Sequence, residues 1–295
     1  MQATLNLGDE VIIPAPYWVS YPDIALLMGG EPVFIQCDQA QNFQMTPEQL
    51  DSAITNKTKW LILNSPSNPS GACYSEDALK ALGEVLLRPQ HQHVQILTDD
   101  IYEHITYDDV RFTTMAAAVP ALKNRVLTLN GFAKAYCMTG WRLGYAAGNP
   151  DLIKAMVMLN SQSITSPTSF AQYAAIEALN GKQDFIQTHN KAFKERRDFM
   201  VNALNEMDGI DCAMPQGAFY VYPSCAGLIG KTTPKGSKIN NDTDFVTYLL
   251  ESQGLAAVQG AAFGLEPYVR ISYATSMINL QEAMKRMKTA CEALV

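Results

Sequence analysis

The chain has 295 residues, of which 47% are hydrophobic and 17% are charged, a balance that is typical of a globular protein with its own core. Its 22 Lys and Arg residues against 29 Asp and Glu residues give a net charge of -7, so no basic excess points to nucleic acid as a partner. The six cysteines lack C-x-x-C spacing and no segment has the pattern of a signal peptide or a membrane span, so we expect a cytoplasmic protein.

Short β-rich runs alternate with helical patterns over the first half of the chain. The runs are residues 11–13, 33–35, 60–63, 94–97, 126–129 and 143–147. Two of the helices between them have clear starts, each with an N-cap residue and an acidic first turn, at Thr46-Pro47-Glu48 and at Ser75-Glu76-Asp77. This alternation predicts an α/β sheet whose strands are connected by crossover helices.

The second half of the chain has a different order of elements. A long polar-faced helical pattern covers residues 184–207, and strand candidates follow at residues 218–222 and 268–273. Helices are expected from Thr243 and from Leu280. We therefore predict a large domain over residues 1–185, and a connecting helix with a smaller C-terminal α+β domain over residues 186–295.

Polar motifs follow three of the predicted strands at the point where each strand ends. They are N-S-P-S-N-P-S-G at residues 64–71, T-D-D-I-Y at residues 98–102, and N-G-F-A-K-A-Y-C-M-T-G-W-R at residues 130–142. Because ligands bind beyond the carboxyl ends of strands in open α/β sheets, these motifs predict a ligand site. His91 and His93 lie in a polar segment with no obvious third ligand, so we expect no metal site there.

In their order and spacing these motifs resemble the class I aminotransferases of the fold-type I pyridoxal phosphate enzymes, in the bacterial aspartate aminotransferase (aspartate/prephenate) branch. The resemblance also includes P-Y-W-V-S-Y-P at residues 16–22, G-A-F-Y at residues 217–220 and V-R-I-S-Y at residues 269–273. It implies a mostly parallel central sheet with helices on both faces, pyridoxal 5'-phosphate as cofactor, and a homodimer. It also implies ping-pong transamination between an amino acid, aspartate first, and a 2-oxo acid such as 2-oxoglutarate.

The resemblance assigns roles to four residues around the reacting atoms. Lys134 would form the aldimine with the cofactor aldehyde and then move the substrate proton. Asp99, rather than its neighbour Asp100, would face the pyridine nitrogen as a fixed anion. Tyr102 and Asn68 would hydrogen-bond the phenolic oxygen of the cofactor. Without the resemblance, Asp99 reads as a strand-end cap, Asn68 as a turn residue and Tyr102 as a half-buried aromatic.

Three further residues complete the implied site. Trp18 would stack on the pyridine ring, Arg142 would bind the cofactor phosphate, and Arg270 would bind the substrate carboxylate. Trp18 and Asn68 would also contact the substrate. Read alone, Trp18 is a core residue and the two arginines are surface residues. Gly131 stands where many relatives carry a serine ligand of the phosphate, so that hydroxyl is missing and nearby backbone amides are the possible substitute.

The resemblance also implies that about a hundred N-terminal residues of the relatives, including a glycine turn whose helix binds phosphate, have no counterpart here. We therefore expect an exposed sheet edge at residues 143–147, weak cofactor retention and aggregation. Several alternatives stay open: prephenate or aromatic substrates, a catalytically impaired fragment, a sensor domain of a transcription regulator, and a β-elimination or decarboxylation that uses the same cofactor.

Overall fold

The computed structural model describes all 295 residues, and its first half forms a six-stranded sheet. The strands are β1 (Glu10–Ala15), β2 (Glu31–Gln36), β3 (Thr58–Asn64), β4 (Gln95–Asp99), β5 (Val126–Gly131) and β6 (Gly144–Ala147). Their order is β2-β1-β3-β4-β5-β6, with five parallel strands and β6 antiparallel to β5. The predicted α/β architecture is confirmed.

A second sheet of three short antiparallel strands lies in the C-terminal part of the chain. Its strands are β7 (Tyr220–Val221), β8 (Val258–Gln259) and β9 (Val269–Ser272), in the order β7-β9-β8. β7 is shorter than the predicted strand at residues 218–222, because Ala218 has a left-handed backbone with φ of 58°. The sequence patterns contained no signal for the two-residue β8.

Nine α-helices connect and cover the two sheets. They are α1 (Ser20–Leu27), α2 (Pro47–Ala53), α3 (Glu76–Leu86), α4 (Met115–Ala118), α5 (Pro150–Ser163), α6 (Ser169–Asn180), α7 (Asp184–Asn205), α8 (Asp242–Gln253) and α9 (Met277–Glu292). The two predicted helix starts are as expected: Thr46 and Gln49 form a capping box on α2, and the Ser75 side chain caps α3. The predicted long helix is α7.

Apolar packing divides the molecule into two main cores. One core contains inward residues of β1, β3 and β4 together with α2 and α3, including Leu61, Leu79 and Ile96. The other core packs α7, α8 and α9 against the second sheet, with Met200, Phe245 and Val269 fully buried. Each core excludes apolar surface from water and so contributes to stability, and the second core also includes Tyr102 and Tyr107 from the segment after β4.

A buried arginine fixes the connecting helix α7 to the segment that follows β4. Arg197 is 2% exposed, contacts Asp108 and Asp198 as ion pairs, and lies over the ring of Tyr107 at 4.8 Å. Its Nη1 atom also donates to the carbonyl of Pro215 at 3.0 Å. A charged group this deeply buried requires such partners, and they set the position of the loop between β4 and the second sheet.

The sheet edge at β6 is open, as expected, because β6 is the last strand in the order and most of its residues are exposed. The neighbouring helices α5 and α6 also present apolar side chains to solvent, including Val157, Phe170 and Ile176. No helix in the structure has both the length and the apolar character that crossing a membrane requires.

Candidate active site

A pocket of about 260 Å³ opens where β3, β4 and β5 end. Parallel strands bring their carboxyl ends to one edge of the sheet, and the register pairs Asn64 with Asp99 there. Ten residues line the pocket: Trp18, Tyr21, Asn64, Asn68, Asp99, Ile101, Tyr102, Leu129, Asn130 and Lys134. The structure thus brings together five of the seven residues that the sequence pointed to.

Asp99 is the carboxylate of this pocket. It accepts a hydrogen bond of 2.7 Å from the hydroxyl of Tyr21 and one of 3.3 Å from the amide of Ile101. Burial raises the pKa of Asp99, while these two donors and the cation of Lys134 oppose the rise. Asn64 fixes the strand end from the other side, because its Nδ2 atom donates to the carbonyl of Asp99 at 2.8 Å.

Asp100, the neighbouring carboxyl group, does not line the pocket. It is 3% exposed, and its Oδ2 atom has no hydrogen-bond partner. Burial, together with the nearby carboxylates of Glu103 and Asp99, raises the pKa of Asp100 to about 8. With a pKa of about 8, Asp100 is mostly protonated at neutral pH, whereas the donors Tyr21 and Ile101 favour the charged form of Asp99.

Lys134 brings an amine into the pocket from the loop after β5. Its Nζ atom lies 5.6 Å from the ring centroids of both Tyr102 and Phe219. Partial burial lowers the pKa of Lys134, the cations Arg270 and Arg142 lower it further, and Asp99 opposes them. A lowered pKa increases the uncharged fraction of an amine, and the uncharged amine is the form that acts as a nucleophile or base.

Arg270, on β9 of the second sheet, reaches the pocket without lining it. Its Nη1 atom donates to Oδ1 of Asn68 at 3.0 Å, and its guanidinium lies 4.8 Å from the ring of Tyr220 and 4.9 Å from that of Phe263. Its Nε atom is buried and has no hydrogen-bond partner. A half-buried guanidinium with an unused donor is suited to bind a carboxylate in a bidentate pair.

Tyr102 forms a buried hydroxyl pair beside the amine of Lys134. Its hydroxyl lies 3.1 Å from that of Tyr220, within hydrogen-bond distance. Burial and the neighbouring Tyr220 raise the pKa of Tyr102, whereas Arg270 opposes the rise. Tyr102 therefore stays a phenol and can donate its proton to an anion in the pocket.

The two remaining predicted residues lie in different settings. Trp18 is in the pocket wall, 38% exposed, with its indole edge-on to Tyr21 at a centroid distance of 5.3 Å. Arg142 is outside the wall on an exposed turn, where its Nη1 atom donates to the carbonyl of Thr139 at 3.0 Å. The amide of Gly131 is also engaged, because it donates to Oδ1 of Asn130 at 2.7 Å. That amide is therefore not a free substitute for the missing serine.

Sequence reasoning did not single out Tyr21, Asn64, Asn130 or Tyr220 as site residues. Tyr21 and Tyr220 lie inside motifs that were recognised, three residues after Trp18 and at the end of G-A-F-Y. Asn64 directly follows the predicted strand at residues 60–63, and Asn130 directly follows the predicted strand at residues 126–129. Their position at the carboxyl ends of these strands was the available signal.

The chain was compared with known proteins. A family model described as aminotransferase class I and II matches residues 1–287. An aspartate aminotransferase of Rhizobium meliloti (strain 1021) is 55% identical over 294 residues, which are 100% of this chain and 71% of that protein. An aspartate/prephenate aminotransferase of Cereibacter sphaeroides is 56% identical over 292 residues, which are 99% of this chain and 72% of that protein.

Solved structures agree with these matches. The crystal structure of the aspartate aminotransferase from Rhizobium meliloti superimposes with a TM-score of 0.97 at 54% identity, covering 100% of this chain and 73% of that one. An aspartate aminotransferase structure from Thermus thermophilus with maleate superimposes with a TM-score of 0.88 at 38% identity, covering 98% of this chain and 72% of that one. The chain belongs to the class I and II aminotransferases and has their fold, so its activity is that of an aminotransferase.

Proposed function

We propose that the pocket binds pyridoxal 5'-phosphate and that the chain transfers the amino group of aspartate to a 2-oxo acid such as 2-oxoglutarate. The observation that carries the proposal is the joint placement of an amine, an anion and a guanidinium around one pocket. Lys134 and Asp99 line it, and Arg270 contacts its wall through Asn68. We further propose that residues 1–185 carry the cofactor and that residues 186–295 form the smaller domain, which supplies Arg270.

The donors and acceptors of the pocket fit the groups of this cofactor. A buried carboxylate, Asp99, suits a protonated ring nitrogen, and the Lys134 amine suits an aldehyde. Asn68 accepts from Arg270 with its amide oxygen, so its NH2 group is the part left to donate to a phenolic oxygen. Trp18 provides an aromatic face, and Arg142 is the guanidinium on the adjacent turn available for the phosphate.

The residues of the chain perform distinct tasks in the proposed reaction. When bound, the cofactor supplies an electron sink that stabilises negative charge at the substrate Cα. Arg270 binds the α-carboxylate, which amino acid and oxo acid share, through donors that include its unpartnered Nε. Lys134 accepts the Cα proton on Nζ, a role favoured by its lowered pKa. Tyr102 donates its phenolic proton toward the pocket.

Aspartate is the proposed amino donor because relatives at 55% and 56% identity are named aspartate aminotransferase and aspartate/prephenate aminotransferase. Prephenate, a 2-oxo acid, is for the same reason the second candidate for the amino acceptor, beside 2-oxoglutarate. Both compounds carry two carboxylates, so both need a partner for the distal one in addition to Arg270. Conversion of the pyridoxamine form by prephenate or by 2-oxoglutarate, after aspartate has donated its amino group, separates the two acceptors.

We also propose that the chain functions as a homodimer. The helices α5 and α6, with the residue that follows α5, expose a group of apolar side chains that a monomer leaves in water: Val157, Met158, Ile164, Phe170, Tyr173, Ile176 and Leu179. Each is more than half exposed, and α5 has no buried residue at all. Large apolar side chains exposed in this number on two successive helices are typical of an interface between protein chains.

The test is the absorbance spectrum of the purified chain with pyridoxal phosphate, before and after addition of aspartate. Lys134→Ala removes the proposed attachment atom, and Lys154→Ala is the matched control, because Lys154 is a surface lysine with a side chain 79% exposed. We expect a cofactor band in the wild type and in Lys154→Ala that aspartate converts to the pyridoxamine form and 2-oxoglutarate restores. Lys134→Ala should lack both changes.

Each outcome has a distinct meaning. A band that depends on Lys134 and responds to aspartate supports the proposal as stated. A band that responds to an aromatic amino acid instead of aspartate replaces the donor, and a pyridoxamine form that prephenate but not 2-oxoglutarate converts back replaces the acceptor. A band that no amino acid changes favours a sensor, and the absence of any band that depends on Lys134 overturns the cofactor assignment.

A further inference from the structure

Tyr220 lies behind the pocket and contacts two polar side chains of the site, Tyr102 and Arg270. It is 7% exposed and does not line the pocket. Its hydroxyl lies 3.1 Å from that of Tyr102, and its ring lies 4.8 Å from the guanidinium of Arg270. One buried side chain therefore contacts the phenol that faces the pocket and the cation that is proposed to bind substrate.

The hydroxyl pair has one proton more than its mutual hydrogen bond needs. The hydroxyl of Tyr220 has Tyr102 as its hydrogen-bond partner, and the hydroxyl of Tyr102 has Tyr220. If Tyr220 donates, the proton of Tyr102 is free to point into the pocket, toward an anion there. Two hydroxyl groups that donate in the same direction polarise each other. An anion in the pocket therefore stabilises the arrangement in which Tyr220 donates to Tyr102 over the arrangement in which Tyr102 donates to Tyr220.

The aromatic ring makes a separate contribution. Arg270 lies over the rings of Tyr220 and Phe263, and its Nη1 atom is held by Asn68. A guanidinium fixed by two rings and one hydrogen bond loses less conformational freedom when a carboxylate binds. Removal of the ring should therefore weaken substrate binding, whereas removal of the hydroxyl alone should not.

We propose that Tyr220 is a positioning residue of the transamination site, with two separable parts. Its hydroxyl directs the proton of Tyr102 toward the phenolic oxygen of the cofactor, and its ring holds Arg270 in the orientation that receives the substrate carboxylate. This inference rests on the proposed function. It concerns a residue that contacts neither cofactor nor substrate and acts through Tyr102 and Arg270.

Two variants separate the hydroxyl from the ring. Tyr220→Phe deletes the hydroxyl and keeps the ring, and Tyr220→Leu deletes both. Weaker donation by Tyr102 makes the negative charge on the phenolic oxygen more costly, so the nitrogen of Lys134 keeps its proton to higher pH. We expect both variants to raise the pH midpoint of the cofactor absorbance change by about half to one unit.

The kinetic prediction distinguishes the two variants. KM for aspartate should stay within about two-fold of wild type in Tyr220→Phe and rise by about ten-fold in Tyr220→Leu, because the latter loses the ring beneath Arg270. Tyr248→Phe is the control, since Tyr248 hydrogen-bonds the carbonyl of Ala290 away from the site. All spectra are recorded at saturating pyridoxal phosphate, and borohydride reduction with peptide mapping verifies attachment at Lys134.

The results distinguish a failure of the roles inferred for Tyr220 from a failure of the proposed function. A wild type without a Lys134-dependent band overturns the proposed function, and the inference with it. A normal wild-type titration with an unmoved midpoint in Tyr220→Phe overturns the hydroxyl role alone. Equal KM values in Tyr220→Phe and Tyr220→Leu overturn the ring role. The expected pattern is a shared midpoint shift with a KM increase in Tyr220→Leu only.

Discussion

Replacement of Asp100 by asparagine should stabilise the protein, and the gain should depend on pH. Asp100 is 3% exposed, and its Oδ2 atom has no hydrogen-bond donor. Burial and the carboxylates of Glu103 and Asp99 raise the pKa of Asp100 from 3.8 to about 8. Asparagine has nearly the same shape without the ionisable proton, so Asp100→Asn removes the linkage between folding and this proton.

The sign and size of the effect follow from that raised pKa. The unfolded chain releases the Asp100 proton near its ordinary pKa of 3.8, whereas the folded chain keeps it until about pH 8. The contribution of Asp100 to stability is thus fully present below the unfolded pKa and is lost as pH rises toward the folded pKa. At about 1.4 kcal/mol per pH unit, the wild type should lose about 3 kcal/mol relative to Asp100→Asn between about pH 5 and pH 7.

Urea unfolding of both proteins at several pH values measures this difference directly. The surface variant Asp208→Asn is the control, because Asp208 is exposed. The difference in unfolding free energy between Asp100→Asn and wild type should grow with pH and level off near pH 8, whereas the Asp208→Asn difference should stay small. A difference that does not change between about pH 5 and pH 7 would refute the assignment of Asp100 as a buried neutral acid.

Two further predictions concern the site and the surface. Tyr21→Phe removes the 2.7 Å hydrogen bond to Asp99, and since bonds to charged groups contribute about 1.5 to 3 kcal/mol, the Kd for pyridoxal phosphate should rise about ten- to a hundred-fold by fluorescence titration. An unchanged Kd would contradict the role of Asp99 at the ring nitrogen. Phe170→Lys combined with Ile176→Glu should reduce self-association in light scattering at matched concentration, because both side chains are more than half exposed on α6. Equal association in the double variant and wild type would show that this face is not the interface.

Much of the fold could be predicted from local sequence patterns. The six predicted runs of the first half all correspond to strands, because apolar β-rich segments between turn residues are a local signal. The caps at Thr46 and Ser75 are local signals too. β8 was missed because two half-buried residues are too few to carry an alternating apolar pattern, and their strand conformation comes from pairing with β9.

The site was predictable as a set of residues and not as a set of contacts. Lys134, Asp99, Tyr102 and Asn68 were expected from the resemblance to the aminotransferases and line the pocket, whereas Arg142, expected on the same ground, lies outside the pocket wall. No spacing rule connects the partners of these residues. The hydrogen bonds of Asp99 with Tyr21, Tyr102 with Tyr220 and Asn68 with Arg270 join residues 78, 118 and 202 positions apart.

Those three long-range pairs also explain how one acidic chain can carry both an anion and cations at a single site. Each charged or acidic group has a neutral hydrogen-bonding partner from another element: Tyr21 for Asp99, Tyr220 for Tyr102, and Asn68 for Arg270. Neutral partners orient a group without cancelling its charge, so Asp99 stays available to a cation and Arg270 to a carboxylate. A salt bridge between Asp99 and Arg270 would satisfy both groups and leave neither for a ligand. Substitutions of the neutral partners leave the charged groups in place but change how those groups are oriented. They should therefore change the pH midpoints of titration and the ligand affinities of the site.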